Sequence, residues 1–295
     1  MSINLKGSMV AIVTPMHSDG QLDLPAFNRL VEWHQSEGTS AIVVVGTTGE
    51  SATLSSQEHC DLVSYCVEVA DKRIPIIAGT GSNSTEEALY FTSSAKECGA
   101  DACLLVTPYY NKPSQEGLFQ HFKLIADSVD IPQILYNVPG RTGCDMELEL
   151  VDRLSSIDNI IGLKDATGDV LRGKQLIEKC GDRIDIYSGE DAVTLELMRL
   201  GATGTISVTA NVAPGLMSKM CNLALEGDFE SAKVLDDQLI GLHKSLFLES
   251  NPIPVKWALH KMGIIGEGIR LPLMELSDKF HVQVTEALRR VKINI

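Results

Sequence analysis

The sequence NIIGLKDATGD, at residues 159–169, is a short apolar run that ends abruptly in polar residues. Seven other runs share this form, at 8–14, 41–45, 74–79, 101–107, 132–137, 184–189 and 203–208. Each is short, rich in β-branched or other aliphatic residues, and bounded by turn residues. This pattern is typical of strands that are buried on both faces of a parallel sheet.

Longer amphipathic stretches separate these runs and predict helices. Ser55 with Glu58, and Ser84 with Glu87, fit the Ser-x-x-Glu capping box. Gly38, Gly99 and Gly201 each precede a predicted strand, where a glycine ends a helix in the left-handed conformation. Eight strand–helix units predict an α/β fold, a (β/α)8 TIM barrel, and an open doubly wound sheet is the alternative.

After about residue 225 the strand pattern stops. Segments 227–250, 251–263 and 271–291 predict three helices separated by proline and glycine. We therefore divide the chain into a catalytic barrel at 1–224 and a C-terminal helical region at 225–295. This region exceeds a minimal barrel, so we expect it to pack on the barrel's flank or on another subunit.

Composition excludes several classes of protein. The 295 residues are 44% hydrophobic, with a net charge of −14 and a pI near 4.9, which disfavours binding to nucleic acid or to a membrane surface. No apolar run approaches the length of a membrane span, and the N-terminal segment is read as a strand and not as a secretion signal. We therefore expect a cytoplasmic protein. The seven cysteines and seven histidines show no disulfide or metal-ligand spacing, so their spacing predicts no metal site.

The strand ends carry the candidate chemistry, because barrel enzymes place their active sites at the C-terminal ends of the strands. Lys164 is the one cation that ends a predicted strand. Partial desolvation there would lower the pKa of its amine, and a neutral amine can form a Schiff base with a carbonyl substrate. The alternative is a lysine that extends to water or pairs with Asp165 or Asp169.

Three further residues belong to the same predicted mouth. Tyr136 ends the preceding strand and could move protons, with Thr47 as the next member of a relay. Arg141, in the following loop, could bind a carboxylate with two parallel N–H···O hydrogen bonds from its guanidinium group. A packed tyrosine and a solvated loop arginine are the alternatives.

Six motifs together carry a resemblance over essentially the full length of the chain. They are GTTGES (46–51), PYYNKP (108–113), YNVPGRTG (136–143), GLKDATGD (162–169), SGED (188–191) and NPIPVK (251–256). In this order they resemble the dihydrodipicolinate synthase family of pyruvate-dependent class I lyases. The resemblance implies a lyase of lysine (diaminopimelate) biosynthesis that condenses pyruvate with L-aspartate 4-semialdehyde, through a lysine Schiff base, to 4-hydroxy-tetrahydrodipicolinate.

The resemblance also implies roles for individual residues. Lys164 matches the Schiff-base lysine and Tyr136 the proton donor and acceptor. Thr47 and Tyr110 match the rest of the relay, and the family's counterpart of Tyr110 reaches in from a neighbouring subunit. The remaining matches are substrate contacts: Thr48, Gly189 and Ile206 for pyruvate, and Arg141 for the semialdehyde carboxylate. The family is typically a homotetramer, a dimer of dimers, without redox cofactor or catalytic metal.

Many family members are inhibited by L-lysine at a dimer interface. The matching positions are Ser51, Ala52, His59, Asn83, Glu87 and Tyr109. Ser56 departs from the pattern, because the strongly inhibited bacterial form has histidine there. We predict weak or moderate inhibition, with helix capping by Ser55 and Ser84 as the alternative explanation of the cluster.

Two other functions compete with the condensation. A sister aldolase, such as N-acetylneuraminate lyase or a 2-keto-3-deoxy sugar-acid aldolase, would share Lys164 and Tyr136. The Thr47–Thr48 pair and the Tyr109–Tyr110–Asn111 stretch favour the synthase. A non-catalytic ligand-binding barrel would be expected to lack Lys164 or Tyr136, and both are present.

Overall fold

The fold is a closed barrel, seen in a computed structural model that describes residues 5–295. Within that range eight parallel strands follow one another around the barrel in chain order, and β1 pairs with β8 to close it. The strands are β1 (Gly7–Ala11), β2 (Ala41–Val44), β3 (Ile76–Gly79), β4 (Ala102–Val106), β5 (Gln133–Asn137), β6 (Ile160–Asp165), β7 (Asp185–Ser188) and β8 (Gly204–Ser207). The predicted TIM barrel and all eight predicted strands are confirmed.

Helices cover the outside of the barrel. They are α1 (Leu24–Ser36), α2 (Ser56–Ala70), α3 (Thr85–Cys98), α4 (Gln115–Ser128), α5 (Pro139–Thr142), α6 (Leu148–Leu154), α7 (Val170–Cys180), α8 (Thr194–Leu200) and α9 (Pro214–Leu225). A large apolar core lies between these helices and the strands, and a smaller one fills the barrel interior. The four-residue helix α5, in the loop after β5, was not predicted.

The predicted helix ends are largely as expected. Ser55 and Glu58 form a complete capping box at the start of α2. Ser84 caps α3 by accepting from the Glu87 backbone N–H, but the Glu87 carboxylate accepts from the Ser82 hydroxyl and does not complete the box. That difference leaves Glu87 facing the loop after β3.

Three helices follow the barrel: α10 (Phe229–Ser245), α11 (Ile253–Lys261) and α12 (His281–Arg290). They pack on one flank, where α10 contacts α8, α9 and α12. The third helix begins at His281 and not at 271 as predicted. Leu271 and Met274 lie exposed in an irregular segment, so no packing stabilises a helix there. Among residues 5–295, no helix combines the length and apolar character needed to cross a membrane.

Candidate active site

A cavity of about 200 Å³ opens at the C-terminal ends of the strands. It collects residues from six different strand–helix connections, as expected for a barrel of parallel strands. Six of the residues predicted for catalysis or substrate binding line it: Thr47, Thr48, Tyr136, Arg141, Lys164 and Gly189. The sequence-based hypothesis of a single mouth therefore agrees with the geometry.

Lys164 lies near the end of β6 with 5% of its surface exposed. Burial lowers the pKa of its amine from 10.5 to about 8. The charges of Asp191 and Glu190 act to raise the pKa, and the charge of Arg141 acts to lower it further. The result is an amine that is partly neutral near neutral pH, which is the form that attacks a carbonyl carbon.

Tyr136 lies beside Lys164 because the two residues are register partners on β5 and β6. The Lys164 Nζ atom is 4.2 Å from the centre of the Tyr136 ring. Burial raises the pKa of the phenol to about 12, while Arg141 and the nearby Thr47 side chain moderate the rise. The phenol therefore stays protonated and lies close to a second hydroxyl group, as expected of a proton relay.

The loop after β2 and the loop after β5 meet at Asn251, just before α11. The Asn251 side-chain amide donates to the Thr48 hydroxyl at 2.9 Å. Arg141 donates from Nη2 to the Asn251 carbonyl at 3.1 Å. These contacts hold two of the predicted substrate-binding residues against the same point of the C-terminal region.

Gly189 and Ile206 take different positions. A Cβ atom at Gly189 would lie 2.7 Å from the Ala166 Cβ and 3.0 Å from the Lys164 Cε, so a side chain there would displace the lysine. Ile206 is buried among the side chains inside the barrel, and it is not among the described residues that line the cavity.

Tyr110 is separate from this cavity in the single chain. It is 88% exposed and adopts a left-handed backbone with φ of 75°. Its backbone N–H donates to the Thr142 carbonyl, which ties its loop to α5. The other two members of the predicted relay, Tyr136 and Thr47, both line the first cavity, whereas Tyr110 of the same chain does not.

A second cavity of about 470 Å³ adjoins the first, and Thr47, Ser51, His59, Arg141 and Asn251 are among the residues that line both. Five residues predicted to bind lysine line this cavity: Ser51, Ala52, His59, Glu87 and Tyr109. The sixth, Asn83, lies nearby, where its carbonyl accepts from the Asn111 side chain. Burial lowers the pKa of His59 to about 4, so its imidazole, which stacks on Phe91, is neutral.

Sequence reasoning missed several residues of the site. Asn251, Glu190 and Phe247 line the first cavity, and Asp191 acts electrostatically on Lys164. Glu190 follows a predicted strand end directly, so its position was a usable signal. Asn251 and Phe247 come from the C-terminal region, where no local pattern points to the barrel mouth.

The described part of the chain, residues 5–295, has no cluster of three or more histidine, cysteine, aspartate or glutamate side chains arranged to hold a metal ion.

Comparisons with known proteins agree on one family. The model of the dihydrodipicolinate synthetase family matches residues 4–291. The chain is 58% identical over 289 residues to the 4-hydroxy-tetrahydrodipicolinate synthase of Pseudomonas aeruginosa, covering 98% of this chain and 99% of that one.

Two solved structures extend the similarity to three dimensions. A chloride-inhibited dihydrodipicolinate synthase of Acinetobacter baumannii, complexed with pyruvate, matches with a TM-score of 0.97 and 56% identity, over 99% of this chain and 100% of that one. The synthase of Cyanidioschyzon merolae with lysine bound matches with a TM-score of 0.95 and 35% identity, over 98% and 99% of the two chains.

Proposed function

Since this chain belongs to the dihydrodipicolinate synthetase family, we propose that it is the enzyme that condenses pyruvate with L-aspartate 4-semialdehyde, with Lys164 as its Schiff-base residue. The observation that carries the assignment of Lys164 is its position. The amine is buried, its pKa is lowered to about 8, and it lies beside the phenol of Tyr136 in the strand-end cavity.

The first step joins Lys164 to pyruvate. The neutral amine attacks the ketone carbon, protons move to the oxygen, and water leaves to give a protonated imine. Thr48 and Gly189 line the space around this centre and are assigned to the pyruvate carboxylate. Ile206, buried in the barrel interior, is assigned to packing beneath the pyruvate-binding residues.

The second step forms the carbon–carbon bond. Loss of a methyl proton turns the imine into an enamine, whose carbon attacks the aldehyde carbon, and the aldehyde oxygen takes up a proton to become the hydroxyl group. Tyr136 is the group placed to carry these protons, and Thr47 lies beside it. We assign Tyr110 of a neighbouring subunit to the outer end of this relay, because its exposed ring leaves it free to enter another chain's mouth.

The last step releases the product. The amino group of the semialdehyde attacks the imine carbon, the bond to Lys164 breaks, and the ring closes to 4-hydroxy-tetrahydrodipicolinate. Arg141, at the cavity wall, is assigned to the carboxylate of the semialdehyde, which a guanidinium can bind with two parallel hydrogen bonds. Arg141→Gln is expected to raise the KM for the semialdehyde more than the KM for pyruvate.

The test of Lys164 is chemical trapping. The protein is incubated with pyruvate, reduced with borohydride and digested, and the modified peptide is located by mass spectrometry, with Lys164→Ala as the control. We expect a pyruvyl adduct on Lys164 that is absent from the variant. An adduct on another lysine, or none, would overturn the mechanism. Turnover with the semialdehyde, measured beside cleavage of N-acetylneuraminate, then tests the acceptor.

We also infer that L-lysine binds in the second cavity. Glu87 lines it and can pair with an ammonium group, and Ser56 lines it where the strongly inhibited form has histidine. We expect weak or moderate inhibition that Glu87→Gln weakens further. A rate that stays constant up to millimolar lysine would remove the inference.

Assembly is the remaining part of the proposal. Tyr90, Tyr109 and Tyr110 are partly or largely exposed aromatic residues near the two cavities. A dimer that covers Tyr109 and Tyr110 would bring the relay and the second cavity to one interface, and two such dimers would give the homotetramer. Light scattering should then give about four times the chain mass of 32.0 kDa.

A further inference from the structure

Two charged side chains that the mechanism does not use are buried against one another beside the cavity. Glu50 is 3% exposed and Lys256 is 4% exposed. The Lys256 ammonium donates to one carboxylate oxygen of Glu50, and the backbone N–H of Arg270 donates to the other at 3.1 Å. Both partners of Glu50 therefore come from the C-terminal region, more than 200 residues away in sequence.

Glu50 belongs to the loop that carries Thr47 and Thr48. Its backbone is left-handed, with φ of 58° and ψ of 36°, a conformation that costs a residue other than glycine about 1 kcal/mol or more. Its N–H donates to the Thr47 carbonyl, and its own carbonyl accepts from the Thr53 N–H at 2.9 Å. The loop therefore turns at Glu50, and the surrounding structure must hold this turn.

The C-terminal region supplies that support at separate points. Asn251 bonds to the Thr48 hydroxyl, and Lys256, on the first turns of α11, bonds to Glu50. The Arg270 guanidinium donates to the Thr53 carbonyl at 2.8 Å and pairs with Glu58, at the start of α2. The loop is thus bonded to the C-terminal region at its start, its turn and its end.

Stability alone does not explain a buried ion pair at this place. Removing two charges from water is expensive, and apolar residues of similar volume often stabilise a protein equally well. A buried ion pair does favour one arrangement of its two elements over others, because any displacement leaves a charge unpaired in a medium of low dielectric constant.

We propose that the Glu50–Lys256 ion pair is a positioning device that fixes the Thr47–Thr48 loop over Lys164, so that the C-terminal helical region is a working part of the active site. This inference rests on the proposed function. Lys164 itself is held by β6, so loss of the pair should leave imine formation intact and slow the proton transfers that depend on Thr47 and Tyr136.

The test is a double-mutant cycle with Lys256→Met, Glu50→Gln and the two combined. Lys261→Met, an exposed lysine on the same helix, is the matched control. Each variant is assayed well below its measured unfolding midpoint. The readouts are kcat, the KM for pyruvate, and the fraction of Lys164 trapped by borohydride at saturating pyruvate.

We expect Lys256→Met to lower kcat about tenfold or more, since displacement of a site by about 1 Å can cost a hundredfold, while Lys164 is still fully trapped. The double variant, which buries no unpaired charge, should recover at least several-fold over Lys256→Met. Lys261→Met should behave as the unchanged protein.

Two results would overturn the inference: a folded Lys256→Met with unchanged kcat, or a double variant as impaired as Lys256→Met. If Lys256→Met does not fold, Glu50→Gln is used in its place. A lowered kcat of Glu50→Gln would support the inference, and an unchanged kcat would overturn it. Absence of any trapped adduct on Lys164 in the unchanged protein would instead reject the proposed function, so the two failures are distinguishable.

Discussion

Lys164→Met is expected to stabilise the folded protein while abolishing turnover. The pKa of the Lys164 amine is about 8 in the folded chain, against an ordinary value of 10.5. This difference of about 2.5 pH units corresponds to about 3 kcal/mol of unfavourable free energy for holding the charged amine in the fold. Methionine has a similar length and carries no charge, so it removes that cost.

The sign of the pH dependence follows from proton binding. Between pH 8 and 10.5 the unfolded chain holds the proton and the folded chain does not, so the stability of the unchanged protein rises with pH in this window. Below pH 8 both states are protonated and the full cost remains. The advantage of Lys164→Met should therefore be about 3 kcal/mol at pH 7 and about 1.4 kcal/mol at pH 9.5.

Urea unfolding of the unchanged protein and the variant at these two pH values measures the difference. Lys174→Met, on the exposed face of α7, is the control and should change the free energy of unfolding by less than about 1 kcal/mol at both pH values. A Lys164→Met variant whose advantage is equal at pH 7 and pH 9.5, or which is less stable at pH 7, would refute the argument. The gain from packing the methionine side chain is independent of pH and cannot produce the trend.

Three further predictions concern the surroundings of the amine. The initial rate of pyruvate trapping should be half-maximal near pH 8, and Glu190→Gln should move that midpoint lower, because the carboxylate raises the pKa of Lys164; an unmoved midpoint would exclude this effect. Tyr136→Phe should still form the adduct at saturating pyruvate but lose about 10²–10⁴ in kcat, and a kcat near that of the unchanged protein would remove Tyr136 from the relay. Arg172→Met removes the ion-pair partner of the buried Asp165 carboxylate and should lower the free energy of unfolding in urea by about 3–5 kcal/mol. The control Lys123→Met, at an exposed ion pair, should lower it by less than about 1 kcal/mol, and equal losses would contradict the prediction.

Local patterns were sufficient to predict the barrel. Most strands are rich in buried aliphatic residues and bounded by turn residues, so a few consecutive positions are enough to predict them. The neighbouring positions of Tyr136 and Lys164 could also be predicted, because consecutive strands of a parallel barrel pair with each other. The left-handed glycines at 38, 99 and 201 were predictable for the same local reason, and their φ values are 79°, 85° and 115°.

The features that were missed depend on distant parts of the chain. Asn251 and Thr48 are 203 residues apart, and no sequence pattern indicates which residue of the C-terminal region meets which loop. The predicted start of α12 at residue 271 was wrong, because Leu271 and Met274 bury little surface and no packing stabilises a helix there. Periodicity indicates that a helix is compatible with the sequence, and tertiary packing decides whether it forms.

The two strands that carry the candidate catalytic pair are fixed by a polar network on their other face. Residues alternate across a strand, so Tyr136 and Lys164 face the barrel interior while Asn137 and Asp165, one position later, face the helices. The Asn137 amide donates to Asp165 at 3.1 Å, and Arg172 of α7 donates to the same carboxylate oxygen at 2.9 Å. A slip of one residue in either strand would move the amine out of the cavity and also break these bonds. The register that places the amine beside the phenol is therefore enforced from both faces of the sheet, although only the inner face carries the chemistry.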